Sequence, residues 1–131
     1  MSFSYDGGVD QAALNKVVEY IRSEWGQSLL ATDIWSIAGK TSLASYNGQP
    51  AAVATFDALT DGLVKSLADS KFPPLGKYYM IDLAPNFLVI MVPMKQYRWG
   101  MMLSTETLKM GMVFMVLNRA IEQLKKVRGV E

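Results

Sequence analysis

Four consecutive residues, Gly39-Lys40-Thr41-Ser42, match the end of the loop with which many nucleotide-binding proteins hold phosphate groups. In that loop another glycine stands five residues earlier, so that successive backbone N–H groups wrap the phosphates. Here that position holds Ile34, and the residues on both sides predict strands rather than a glycine-rich loop followed by a helix. The sequence therefore favours a β-hairpin turn, with Gly39 at the position that needs a positive φ.

The other side chains that could do chemistry are carboxylates, Lys, Tyr and Ser or Thr, of which the carboxylates offer the clearest pairs. The 131 residues include neither cysteine nor histidine, which removes disulfides, thiol nucleophiles, the usual zinc and iron ligands and the commonest general base. Asp57 and Asp61 lie one turn apart on a predicted helix, where an acid–base or magnesium pair is conceivable but a solvated face is commoner. Asp33 and Asp82 lie in predicted strands. Since no acid, base and nucleophile converge, we predict a protein that is not an enzyme and uses no cofactor or metal.

Charge and hydropathy restrict the partners. The net charge of +1 gives no reason to expect nucleic acid or an anionic membrane, and Lys95 with Tyr97-Arg98-Trp99 is better explained as part of a core-packed strand. The N-terminal MSFSYDGGVDQ lacks the pattern of a signal peptide. The apolar stretch 99–117 is interrupted by Glu106 and Lys109, which argues against membrane insertion. The sequence therefore predicts a soluble, cytoplasmic protein.

Hydrophobic periodicity predicts three helices and five strands in one domain, residues 1–131, with a core of about 9–128. The predicted helices are 9–25, 50–70 and 105–127, and the predicted strands are 29–38, 41–46, 77–84, 87–92 and 96–103. Asp10 is expected to cap the first helix and Ser104 or Thr105 the last. Short connections between strands indicate hairpins, so we predict an α+β fold of order α-β-β-α-β-β-β-α, a five-stranded antiparallel sheet sandwiched by helices.

The second helix has two unlike sides. One carries the apolar stripe expected to face the core: Ala52, Phe56, Leu59, Leu63 and Leu67. The other carries small residues next to two acids: Ala51, Ala54, Ala58 and Gly62. Because Gly62 costs about 1 kcal/mol relative to alanine inside a helix, its presence favours close approach of a second helix. We therefore predict a helix–helix contact across a dimer at this side.

Methionines are concentrated in the second half of the chain, at positions 91, 94, 101, 102, 110, 112 and 115. They could fill gaps in the core or form an adaptable protein-binding surface. The residues from Leu108 to Leu117 are apolar on nearly every side of the helix, which is more than one core-facing stripe requires. Both interpretations stay open at this point.

The element order, together with IWSIAGKTSLASYNGQPAAVATFDAL at 34–59, resembles the roadblock/LC7 family over about residues 9–128. Gly39 occupies the position of the family's hairpin-turn glycine, Leu43-Ala44-Ser45 that of its second strand and Gly48 that of the next turn. Three alanines match the Ala-rich start of its second helix: Ala51, Ala52 and Ala54. Ala38 departs from the pattern, since an acid usually precedes the turn glycine.

The resemblance implies a homodimer in which the third strands pair across a two-fold axis and the second helices pack together. Family members are not enzymes; they scaffold or regulate small Ras-like GTPases, or serve as light chains of motor complexes. The expected partners are therefore a second copy and a small Ras-like GTPase. The predicted interface residues are Ala51, Ala54, Asp57, Ala58, Asp61, Gly62 and Lys65. The alternative is a small-ligand sensor on a related profilin- or longin-like fold, with an apolar pocket lined by methionines and Trp99.

Overall fold

A computed structural model describes residues 8–130, so residues 1–7 and 131 of the predicted domain lie outside the described residues, as does most of the segment examined for a signal peptide. The helices are α1 (Gln11–Trp25), α2 (Pro50–Asp69) and α3 (Met110–Lys125), and the strands are β1 (Leu29–Ser36), β2 (Ser42–Tyr46), β3 (Tyr79–Leu83), β4 (Phe87–Pro93) and β5 (Tyr97–Ser104). A short 3₁₀ turn, Gly26–Ser28, joins α1 to β1. The predicted order α-β-β-α-β-β-β-α is confirmed.

The five strands form one antiparallel sheet in the order β2-β1-β5-β4-β3. Three hairpins, β1–β2, β3–β4 and β4–β5, account for most of this order, and β1 pairs with β5 to join the two halves. The edges of the sheet are β2 and β3. The predicted five-stranded antiparallel sheet is therefore confirmed, and β3 has a neighbour on one side only among residues 8–130.

Helices cover both faces of the sheet, as the continuous apolar sequence of β4 predicts. Leu88, Ile90 and Val92 belong to the larger core, under α1 and α3. Val89 and Met91 point to the opposite face and pack with Trp35 and Val53 beneath α2. The α2 layer is thus the thinner of the two. Within residues 8–130 no helix combines the length and apolar character that crossing a bilayer requires.

The two predicted helix caps have different outcomes. Asp10 caps α1, since its carboxylate accepts a hydrogen bond from the Ala13 N–H at 3.1 Å. The predicted cap of α3 at Ser104 or Thr105 is wrong, because Ser104 still pairs with Phe87 in the sheet and the Thr105 N–H donates to the Asn86 carbonyl. The helix begins only at Met110, after a five-residue connection.

The β1–β2 hairpin and the turn after it depart from the expected use of glycine. The positive φ falls on Lys40 (55°) rather than on Gly39, so the predicted role of Gly39 is wrong. Gly48 is needed for space, because a Cβ there would lie 3.0 Å from Asp33 Oδ1. The buried Asp33 carboxylate accepts hydrogen bonds from the Ser42 hydroxyl and the Gln49 N–H, and so ties the hairpin to the start of α2.

Candidate functional site

The position of α2 on the sheet is fixed by a line of mostly polar residues. Val53, Asp57 and Thr60 are the buried residues of this helix. On the side of β3, the Thr60 hydroxyl lies 2.7 Å from the Tyr79 hydroxyl. On the side of the β1–β2 hairpin, Lys40 Nζ lies 3.6 Å from the Asp57 carboxylate. These contacts establish which side of α2 faces which edge of the sheet.

Asp57 and Arg98 form the centre of a buried polar network under α2. Asp57 Oδ1 accepts hydrogen bonds from Trp35 Nε1 at 2.9 Å and from Arg98 at 2.8 Å. Arg98 also donates to the Asp57 carbonyl and to Asp61 Oδ1, at 2.9 and 2.8 Å. The prediction of a solvated face is therefore wrong for Asp57, which is 2% exposed, although the Asp61 side chain is 56% exposed.

The environment of Asp57 keeps it ionised. Burial alone would raise its pKa, but hydrogen bonds from Trp35 and Arg98, with the charges of Arg98 and Lys40, outweigh burial and hold the pKa of Asp57 below its ordinary value. Burial raises the pKa of Tyr79, so that its hydroxyl remains available as a hydrogen-bond donor. The network therefore holds a permanent ion pair that anchors α2, an arrangement suited to positioning a helix.

The outer surface of α2 carries most of the residues that the sequence indicated as an interface. We call it the small-residue face; its members, all exposed, are Ala51, Ala54, Ala58, Asp61, Gly62 and Lys65. No heavy atom lies within 4 Å of a Cβ built at Gly62. Lys65 forms an exposed ion pair with Asp69 at 2.8 Å. Asp57, the seventh predicted residue, lies underneath this surface.

A second surface of α2 was predicted to belong to the core. Helical residues are about 100° apart, which places Phe56, Leu59 and Leu63 on the side of α2 that faces β3; we call these three the apolar side of α2. They are only partly covered, and Leu59 remains 39% exposed. The helix is thus rotated from the predicted orientation, because Asp57 and Thr60 occupy the sheet-facing line and the sheet ends at β3.

An apolar cavity of about 70 Å³ lies between α2 and the sheet. Its walls include Trp35, Val53, Phe56, Met91 and Met102, and small residues at positions 31, 52 and 100 leave the space open. The predicted methionine lining is therefore correct. The predicted contribution of Trp99 is wrong, since that side chain packs in the core on the other face of the sheet.

The methionines divide between buried and exposed positions. Met91 and Met101 are buried in the two cores. The start of α3 is instead exposed, with four large apolar side chains that are 38–42% accessible: Met110, Met112, Phe114 and Met115. The Phe114 ring lies 6.3 Å from that of Tyr78, the residue before β3. This patch lies on the opposite face of the sheet from α2.

A five-stranded antiparallel sheet with α2 on one face and α1 and α3 on the other is the fold of the roadblock/LC7 proteins, and the chain has this fold. It is similar to the solved structure of Myxococcus xanthus MglB, with a TM-score of 0.77, 9% identity and coverage of 95% of this chain and 92% of that one. An MglB with a tetrameric arrangement gives a TM-score of 0.65 at 12% identity, covering 85% and 86%.

A roadblock/LC7 domain from Streptomyces avermitilis gives a TM-score of 0.59 at 10% identity, over 82% of this chain and 92% of that one. No family model and no curated protein sequence matches the chain. At these identities the likeness defines the fold, and the predicted roadblock resemblance is confirmed at that level.

Proposed function

We propose that this chain is a non-enzymatic, cytoplasmic, homodimeric module that regulates or scaffolds a small Ras-like GTPase. One observation carries the proposal: the open edge of β3 lies beside partly exposed apolar side chains of α2. The roadblock/LC7 fold, shared with MglB structures of which one is in a tetrameric arrangement, supports the same conclusion. The activity follows from the roadblock resemblance, since fold alone does not specify a partner.

The dimer surface consists of β3 and the apolar side of α2. An unpaired edge strand presents free N–H and C=O groups, and proteins that stay monomeric protect such edges with Lys, Pro or a bulge. β3 has the sequence YMIDL and pairs regularly with β4, so it carries no Lys, Pro or bulge, and Asp82 near its end is its one charged residue. Pairing with a second β3 satisfies the edge and covers Phe56, Leu59 and Leu63 of both copies.

The sequence predicted the small-residue face as the helix–helix contact of the dimer; in this proposal the dimer contact lies on the apolar side of α2 instead, and the small-residue face is left for the GTPase. It points away from the β3 edge, because Ala54, Ala58 and Asp61 lie on the side of α2 that faces the β1–β2 hairpin. Its alanines permit close approach of another backbone, and the Asp61 and Lys65 side chains offer polar contacts at its margin. The Asp57–Arg98 ion pair beneath it keeps the helix rigid.

Two adjacent substitutions separate these surfaces. Leu59→Arg places a charge in the dimer surface, and we expect sedimentation at micromolar concentration to show a monomer with unchanged circular dichroism. Ala58→Arg places the same side chain one residue away on the small-residue face, and we expect a dimer that has lost GTPase binding. Binding is titrated against the Ras-like GTPases of the same genome, each loaded with GDP or a non-hydrolysable GTP analogue.

Each outcome has a definite meaning. A wild-type chain that sediments as a monomer overturns the dimer. Dissociation by Ala58→Arg but not by Leu59→Arg assigns helix pairing to the small-residue face and contradicts the arrangement proposed here. A dimer that binds none of the GTPases in either nucleotide state removes the regulatory role.

The cavity beneath α2 supports a second candidate, a sensor of small apolar molecules. An engineered apolar cavity of about 150 Å³ stays dry and takes up benzene or xenon, so the cavity of about 70 Å³ here suits smaller ligands. A thermal-shift screen against xenon, short-chain alkanes and nucleotides tests it, because a ligand of the native state raises the melting temperature. We expect a sensor to show a rise of several degrees that Ala52→Leu, which fills the cavity, abolishes. The absence of any shift contradicts this candidate.

A further inference from the structure

We infer that the two copies of the proposed dimer touch on both faces of the sheet that they share. On the face opposite α2, one side of α3 contacts the second copy. The inference rests on the proposed dimer and adds a surface to it. The residues that form this surface are Met110 and Phe114, with Tyr78, the residue before β3. No contact of this kind is needed to complete the sheet itself, so it is separately testable.

The ring contact between Phe114 and Tyr78 connects α3 to the open edge. Tyr78 and Met80 pack against the core under α1 and α3, whereas Tyr79 and Ile81 pack against the core under α2. The edge strand therefore has apolar neighbours on both faces. Met110 lies one helical turn before Phe114 and shares its side of α3. A second copy paired along β3 meets this side directly.

The size of the interface also requires more surface than β3 and α2 supply. Stable interfaces bury about 800 Å² per partner and involve roughly 20–30 residues on each side. The five residues of β3 and the three of the apolar side of α2 are far fewer. The exposed start of α3 is an adjacent apolar surface on the opposite face of the sheet from Val64 and Phe72, and exposed apolar patches of this kind mark interaction sites.

The chemistry of this side suits a second copy rather than a charged partner. Its exposed residues from 110 to 118 are Met110, Phe114 and Asn118, none of which is charged, and the first charge on this side is Lys125, two turns further along. Across a two-fold axis every residue meets the same surface of the other copy, so like charges at this position would repel. An uncharged apolar side avoids that repulsion.

The test uses two methionines with equal exposure. Met110 and Met112 are 41% and 40% exposed, but about 200° of helical rotation separates their side chains. We expect Met110→Lys to raise the dimer dissociation constant at least tenfold, because the symmetric dimer brings two lysines to one interface. Met112→Lys lies away from β3 and should leave the constant within twofold of wild type. Analytical ultracentrifugation over a concentration series measures both.

The outcomes distinguish this inference from the proposed function. If Leu59→Arg dissociates the dimer but Met110→Lys and Phe114→Lys do not, the dimer stands and the α3 contact is overturned. Equal weakening by Met110→Lys and Met112→Lys also overturns it, since the effect then has no relation to the β3 side. A monomeric wild type overturns both. Thermal unfolding of each variant separates lost association from lost folding.

Discussion

Asp57→Ala is expected to lower the free energy of unfolding by about 3 kcal/mol, near the lower end of the range for breaking a buried ion pair. The substitution leaves Trp35 Nε1 without its acceptor and the buried Arg98 without its buried carboxylate partner. The loss is not larger because Arg98 still donates to Asp61 and to the residue 57 carbonyl. Urea denaturation at fixed protein concentration measures it, since the apparent stability of the proposed dimer would depend on concentration.

The matched control is Asp61→Ala, one helical turn away. Both carboxylates contact Arg98 at 2.8 Å, but the Asp61 side chain is largely exposed, and exposed ion pairs contribute about 0–1 kcal/mol. A loss below about 1 kcal/mol is therefore expected. If the two variants lose equal stability, burial of Asp57 does not determine the strength of the pair, and the account of how α2 is anchored fails.

The Asp57–Arg98 network also determines whether the stability of the folded protein rises or falls with pH. Because the folded protein holds the pKa of Asp57 below its ordinary value, this group contributes stability above the unfolded pKa of about 3.9. The contribution is lost as the pH falls from there through the folded pKa. In Asp57→Asn the group no longer titrates, so the fall in stability below about pH 4 should be shallower than in the wild type.

Local signals in the sequence predict most of the fold. Apolar periodicity, the short connections of the hairpins and the two-sided apolar sequence of β4 are sufficient for the element order and the antiparallel sheet. The start of α3 is different, because Ser104 and Thr105 are good caps in isolation. Ser104 and Thr105 instead stay with the sheet, because they pair with Phe87 and Asn86, residues that are distant from them in the sequence.

The site shows why the orientation of α2 could not be predicted. The helix offers an apolar stripe and a polar stripe, and by apolar periodicity the first faces the core. Arg98, distant in sequence, reverses that assignment, since its guanidinium needs a carboxylate on the α2 side of the sheet. Asp57 turns inward, and the apolar side of α2 turns toward the open edge. The partly exposed Phe56, Leu59 and Leu63 are therefore the residues on which the proposed contact along β3 depends.

The second large loss of stability is expected on the face of the sheet that α1 and α3 cover. Trp99 is fully buried under α1 and α3, and its Nε1 donates to the Thr32 hydroxyl at 2.7 Å, which in turn donates to the Gly100 carbonyl. Trp99→Ala removes one of the two tryptophans of this core and is expected to cost about 3–5 kcal/mol. Native proteins have only about 5–15 kcal/mol of stability, so little remains. Far-UV circular dichroism during urea denaturation follows the loss.

Trp99→Phe separates packing from hydrogen bonding at this position. Phenylalanine keeps an aromatic ring but lacks the N–H, while the Thr32 hydroxyl retains its own acceptor at Gly100. We therefore expect a loss of about 1–2 kcal/mol, from one hydrogen bond and a smaller ring. A loss as large as that of Trp99→Ala means that the hydrogen bond, not packing, dominates. Since Trp99 lies on the face opposite α2, any GTPase binding found for the wild type, as proposed above, should be kept by the folded fraction of both variants.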